Sequence, residues 1–231
     1  MSVEQTIVAL DQMSLEDIDL FLSREDNTIP TVKIGLELYL KYGAELVHKI
    51  HRQYKKHIFL DLKLHDIPKT VERAIHSLKD LPITFLTVHL SGGEAMLKAA
   101  ALEAQRSLPH CKILGVSFLT SLEESDLHSL FGIKNTEEAF LNLFRVADKA
   151  HVHGVICSPH EIALVKKYFP NLLAITPGIR FSDEIQNQDT QDQKRVATPH
   201  QAIEFGADFI VIGRSLTRAQ DLNQRINELK N

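Results

Sequence analysis

Cysteine is scarce in this 231-residue chain: Cys111 and Cys157 are the only two. Two thiols give no disulfide framework for a chain of this size, so a reducing compartment is expected. An excess of positive charge is missing as well. The formal net charge is −4, which argues against nucleic acid as a main partner and leaves any anionic ligand to local basic groups. No apolar run reaches membrane-spanning length. The opening MSVEQTIVALDQ is too short and too polar for a signal peptide, so a soluble, cytoplasmic protein is expected. No Gly-x-Gly-x-x-Gly follows the first apolar run, which weakens a dinucleotide-binding reading. His151 and His153 form a His-x-His pair, but no Cys or acidic residue accompanies them at metal-ligand spacing. A helix-to-strand turn is expected there, and no metal.

What the chain does have is 44% hydrophobic and 24% charged residues, enough for a large core. Short apolar, β-branched runs alternate with longer amphipathic ones. The strand-like runs are 6–10, 31–35, 57–64, 85–90, 111–118, 154–158, 172–176 and 209–213. Helix-like runs begin at Ser14, Glu37, Lys69, Gly93, Thr136 and Pro159. Another spans 198–206, where Pro199 follows a Thr198 cap, and LNQRINELK closes the chain. Strict alternation implies a parallel sheet. Eight units without a composition break predict one domain, residues 1–231, folded as a (β/α)₈ TIM barrel. The polar stretch 181–195 lacks helical periodicity and reads as a lid or binding loop.

The richest segment is 58–70, IFLDLKLHDIPKT. Side chains alternate along a strand, so Asp61, Lys63 and His65 share one face and Leu60, Leu62 and Leu64 the other. Buried charges need partners, and a carboxylate–ammonium–carboxylate array of Asp61, Lys63 and Asp66 is suited to holding a proton in place. An edge strand with solvated charges is the alternative. Barrel enzymes place their chemistry at the carboxyl ends of the strands. There lie Asp11, Lys33, His89 with Ser91-Gly92-Gly93, Ser117, Thr120, Thr176-Pro177-Gly178-Ile179-Arg180 and Gly213-Arg214-Ser215. Arg180 and Arg214 fall after strands seven and eight, each near a glycine, where barrels commonly hold phosphate. Arginine offers paired donors to phosphate oxygens, and Gln193 could cap the anion from the polar loop. Cys157 reads as a small core residue.

LDLKLHDIPKTV resembles the Asp-x-Lys-x-x-Asp-Ile-Pro-x-Thr signature of the orotidine 5′-phosphate decarboxylase family, in its bacterial form. VALD with Asp11, VKIG with Lys33, VHLSGG at 88–93, TPGIR at 176–180, DQKR at 192–195, TPHQA at 198–202 and VIGRSL at 211–216 follow in the family's order. Leu90 stands where a smaller residue is expected.

The resemblance implies conversion of orotidine 5′-monophosphate to uridine 5′-monophosphate and carbon dioxide, the last step of de novo pyrimidine synthesis, with no cofactor and no metal. It implies that Lys63 stabilises the carbanion left at ring carbon six and protonates it. Asp61 and Asp66 would flank Lys63 and keep it cationic. Lys33 would pair with the array and a ribose hydroxyl, Asp11 would hold ribose, and Thr120 would touch the pyrimidine. Arg180, Gln193, Gly213 and Arg214 would bind phosphate. Asp66 and Thr70 would cross a dimer interface, giving a homodimer with shared active sites. The rivals are a magnesium-dependent sugar-phosphate lyase such as 3-keto-L-gulonate 6-phosphate decarboxylase or hexulose-phosphate synthase, and a non-catalytic nucleotide-binding barrel. Lys33 argues against the first, since its ammonium repels a divalent cation. The intact Asp61–Lys63–Asp66 set argues against the second.

Overall fold

The computed structural model describes residues 3–186 and 196–230. A single 3₁₀ turn, Val3–Gln5, precedes the first strand. The main elements then run β1 (Thr6–Ala9), α1 (Leu15–Leu22), β2 (Thr31–Gly35), α2 (Leu36–Tyr54), β3 (His57–Leu64), α3 (Pro68–His76), β4 (Ile83–His89), α4 (Gly93–Ser107) and β5 (Lys112–Val116). After them come α5 (Glu124–Phe131), α6 (Thr136–Lys149), β6 (Gly154–Ile156), α7 (Ile162–Tyr168), β7 (Leu173–Thr176), α8 (Ser182–Gln186), α9 (Pro199–Glu204), β8 (Phe209–Ile212), α10 (Arg214–Thr217) and α11 (Leu222–Lys230). The strands pair in parallel in sequence order, and β8 returns to β1 to close the barrel. The (β/α)₈ expectation holds.

The period-two pattern decides which side chains go where. Ile7, Ala9, Phe59, Phe85, Leu114, Ile175 and Val211 fill the barrel interior. Their neighbours Val8, Val32, Ile58, Leu60, Leu86 and Ile210 face the helical layer and form the larger core with it. Phe59 and Phe85 meet edge to face at 5.9 Å, and Phe85 meets Phe209 at 5.4 Å, so three rings fill much of the interior beneath the site. Phe59 is fully buried. Phe59→Ala is expected to cost about 3–5 kcal/mol through lost burial and the cavity left behind. A urea titration would read this as a lower midpoint at unchanged slope.

Helix starts follow local chemistry. Ser14 and Asp17 form a reciprocal capping box at α1, and Thr198 and Gln201 do so at α9, with Pro199 in the first turn. Pro68 likewise occupies the first turn of α3. Three helices go beyond the sequence reading, the single turn α10 after β8 among them. Helix α5 lies in the β5–α6 connection, where Glu123 and Asp126 cap its start and Gly132, at φ +67°, ends it. Helix α8 lies inside the stretch read as irregular, and tertiary contacts explain it. The Phe181 N–H donates to the Glu184 carboxylate at 2.8 Å. Arg225 on α11 grips Asp183 at 2.7 and 2.8 Å and stacks over Phe181 at 4.3 Å. Five residues are too few for periodicity to reveal such a helix. The remainder of that stretch, 187–195 with Gln193, lies outside the described residues.

Leu90, larger than expected, is buried and fills the space above Gly115, where a β-carbon would come within 2.1 Å of Leu90 Cδ2. Cys111 and Cys157 are both buried and not joined in a disulfide, and burial pushes the Cys111 thiol up to about 12. His153 Nδ1 accepts the Ile113 N–H at 3.1 Å and ties the turn before β6 to β5. Among the described residues, no helix is long and apolar enough to cross a membrane.

Candidate active site

The carboxyl ends of β1, β2 and β3 bring four charged residues into the barrel mouth. Cross-strand register sets Ala9 beside Lys33 and Gly35 beside Asp61. Lys33 Nζ donates to both oxygens of Asp11, at 2.7 and 3.0 Å, and lies 3.5 Å from Asp61 Oδ2. Lys63 Nζ donates to the same Asp61 oxygen at 2.7 Å. The resulting chain Asp11–Lys33–Asp61–Lys63 alternates in sign. A β-carbon on Gly35 would lie 2.3 Å from Asp11 Oδ1, so the pair of Asp11 and Lys33 needs the glycine beneath it.

Lys33 and Asp61 are buried. Burial favours the neutral amine of Lys33, but the carboxylates of Asp61 and then Asp11 outweigh it and hold its pKa above the ordinary lysine value. Burial likewise pushes Asp61 up, yet Lys33, Lys63 and the hydrogen bonds from Lys63 and Thr87 bring it below the usual carboxylate range. The Lys33–Asp61 pair is therefore ionised across the neutral range. Its stabilising effect is lost as pH falls through the depressed Asp61 value, or rises through the elevated Lys33 value.

Strand β3 does not run regularly through this region. Leu60 pairs with Leu86 and Leu64 with Val88, so residues 61–63 of β3 face only Thr87 of β4. Lys63 absorbs the excess with φ +50°, a left-handed conformation that costs a non-glycine residue roughly 1–2 kcal/mol. Outliers of this kind cluster at functional sites. The Thr87 hydroxyl accepts the Lys63 N–H at 2.9 Å and donates to Asp61 Oδ1 at 2.8 Å. Sequence reasoning passed over Thr87, because a threonine within an apolar strand reads as an ordinary β-former.

The neighbouring strand ends form an anion cradle. Asp11, Lys33, Gly178, Arg180, Gly213 and Arg214 line a common cavity of about 240 Å³, together with Ala9, Gln12, Pro177 and Val211. Arg180 is buried, and its Nη1 donates to the Ile179 carbonyl at 2.8 Å, which fixes the guanidinium at the cavity wall. Gly178 has φ +79°, a turn that suits glycine. Gln12, at φ +63°, was not singled out from sequence, since a positive φ at glutamine leaves no sequence signal.

The other expected residues do not line this cavity. Asp66 is exposed and its Oδ1 accepts the Ile67 N–H at 2.7 Å, so within this chain it caps the turn into α3 instead of flanking Lys63. Thr70 is exposed on α3. Thr120 is partly buried in the turn beyond β5. The exposed His65 ring packs against His89 at 5.3 Å. Burial, with His65 and Lys63 close by, pushes His89 below the ordinary imidazole value, so it is neutral at pH 7.

A parallel (β/α)₈ barrel with an alternating Lys/Asp array at its mouth and two arginines after β7 and β8 defines an enzyme-type barrel suited to a phosphorylated, anionic ligand. Residues 4–229 match the model of the orotidine 5′-phosphate decarboxylase / HUMPS family, and the chain belongs to that family. It is 43% identical over 223 residues to an orotidine 5′-phosphate decarboxylase of Geobacillus sp. (strain WCH70), covering 93% of this chain and 90% of that one. It is 41% identical to the orotidine 5′-phosphate decarboxylase of Opitutus terrae, covering 93% and 92%. The crystal structure of the orotidine 5′-phosphate decarboxylase from Lactobacillus acidophilus superposes with a TM-score of 0.83 at 34% identity, covering 98% of this chain and 97% of that one.

Proposed function

We propose that this chain, acting as one catalytic barrel, decarboxylates orotidine 5′-monophosphate to uridine 5′-monophosphate and carbon dioxide. That is the closing step of pyrimidine nucleotide synthesis. The observation that carries the reading is the Asp11–Lys33–Asp61–Lys63 chain beside the cavity lined by Arg180 and Arg214. Bond cleavage leaves the electron pair on ring carbon six, with no carbonyl placed to delocalise it well. Lys63 offers its ammonium to that charge and then its proton. Asp61 directs the Lys63 side chain through their hydrogen bond, and its charge opposes the substrate carboxylate in the ground state. Lys33 and Asp11 take the ribose hydroxyls, and Thr120 takes the pyrimidine. Arg180, Gly213 and Arg214 bind the phosphate, with Gln193 as a further contact, and this remote binding energy is available to the reacting centre.

The metal-dependent sugar-phosphate reading fares worse. The Lys33 ammonium fills the space between Asp11 and Asp61 where a divalent cation would need to sit. Purified protein treated with chelator should release uridine 5′-monophosphate from orotidine 5′-monophosphate at undiminished rate. Turnover of 3-keto-L-gulonate 6-phosphate that requires magnesium, with none of the nucleotide, would replace this reading by its rival.

The active site is shared within a cytoplasmic homodimer. Support comes from the placement of Asp66 and Thr70 on the exposed β3–α3 turn and helix, away from their own array. Leu36, Leu40 and Ile67, all exposed, follow the ends of the adjacent strands β2 and β3 and supply apolar surface for a partner. A mixture of Lys63→Ala and Asp66→Ala chains tests this. Each variant alone should be nearly inactive, whereas in a heterodimer one site carries both lesions and the other none. Equal amounts reassorting at random should regain up to about one quarter of wild-type activity per chain. No recovery after verified subunit exchange would return Asp66 to its own subunit's chemistry.

A further inference from the structure

An extended strand advances about 3.4 Å per residue, so side chains two apart on one face start nearly 7 Å from each other. Asp61 and Lys63 nevertheless meet at 2.7 Å. The irregular stretch of β3 makes this meeting, and one side chain of β4 spans it. Thr87 is fully buried opposite residues 61–63. Its hydroxyl uses both of its capacities on β3: the oxygen accepts the backbone N–H of Lys63, and the proton goes to Asp61 Oδ1. Asp61 Oδ2 then faces the ammonium groups of Lys63 at 2.7 Å and Lys33 at 3.5 Å. We propose that Thr87 is a positioning residue for the reaction, fixing both the left-handed turn at Lys63 and the rotation of the Asp61 carboxylate.

This inference rests on the decarboxylase reading and deepens it. Among the described residues, the charged or titratable groups facing Asp61 are Lys63 on its own strand, Lys33 on β2 with Asp11 behind it, and His89 further along β4. A hydroxyl at position 87 therefore supplies the one neutral hydrogen bond to the carboxylate among the contacts described here. Valine at this position would keep the β-branched shape that suits the strand while removing donor and acceptor. Serine would keep both.

The test compares wild type, Thr87→Val and Thr87→Ser by kcat, KM and the pH dependence of kcat for orotidine 5′-monophosphate, with melting temperatures alongside. Thr87→Val should lower kcat by about 100-fold, the scale on which slight misplacement of a catalytic group acts. KM should change little, because the cavity lined by Arg180 and Arg214 is untouched. The acid limb of kcat should move to higher pH, since a carboxylate that loses a donor is more easily protonated. Thr87→Ser should restore most of the rate and return the acid limb to its wild-type position. Should Thr87→Val fail to fold, Thr87→Cys takes its place, close to serine in shape but weak as donor and acceptor. Wild-type kcat in the hydroxyl-free variant, or serine as impaired as that variant, overturns the proposal. Wild-type protein without activity on orotidine 5′-monophosphate would instead overturn the decarboxylase reading itself.

Discussion

Lys63→Ala should lose about 10⁴-fold or more in decarboxylation rate, because general-acid catalysis and charge stabilisation at the reacting carbon disappear together. Its binding of uridine 5′-monophosphate should persist. Lys63 donates to Asp61 but does not line the cavity that holds Arg180 and Arg214. Asp61 also keeps Lys33 at 3.5 Å and the Thr87 hydroxyl at 2.8 Å, so the remaining array stays paired and the barrel stays folded. A calorimetric titration with the product, alongside a rate assay, separates the two effects. Near wild-type turnover would remove Lys63 from the chemistry. Loss of product binding as large as the loss of rate would make it a binding group instead.

Arg214→Ala should produce the second large effect, and its size depends on the substrate. A hydrogen bond to a charged group contributes about 1.5–3 kcal/mol, or roughly ten- to hundredfold in kcat/KM. KM should rise, and kcat should fall as well if phosphate binding energy is used at the transition state. Orotidine, which has no phosphate, should be a very poor substrate for wild type, and Arg214→Ala should not worsen it further. Parallel losses on orotidine and its phosphate would place the arginine outside the phosphate contact. Arg180 is buried and its guanidinium also bonds the Ile179 carbonyl. Its replacement would disturb the β7 loop as well as the ligand, which makes Arg214 the cleaner probe.

The residues that sequence could place are those whose position follows from strand alternation and barrel topology. Asp61 and Lys63 fall on the inner face of β3 by period two, Lys33 on that of β2, and Arg180 and Arg214 beyond β7 and β8. All of these except Lys63 depend only on regular strands and their order. Lys63 reaches Asp61 through an irregularity that exists only because β4 offers one residue against three, a matter of pairing between segments more than twenty residues apart. Such a register is not written in either segment alone. The same holds for Thr87, whose part is set by what lies across from it, and for α8, which is held by Arg225 from the far end of the chain. Asp66 illustrates the opposite case. Its proximity in sequence to Lys63 suggests one array, yet the turn into α3 directs its carboxylate to the Ile67 N–H. Six positions along a chain that is changing from strand to helix do not preserve a shared face.

Turnover of orotidine 5′-monophosphate in heavy water, with chelator present, tests the central claim most directly. If Lys63 protonates a carbanion at ring carbon six, each carbon dioxide released should be matched by one uridine 5′-monophosphate bearing a single deuterium at carbon six and none at carbon five. Absence of turnover, or deuterium entering at carbon five, would contradict the account.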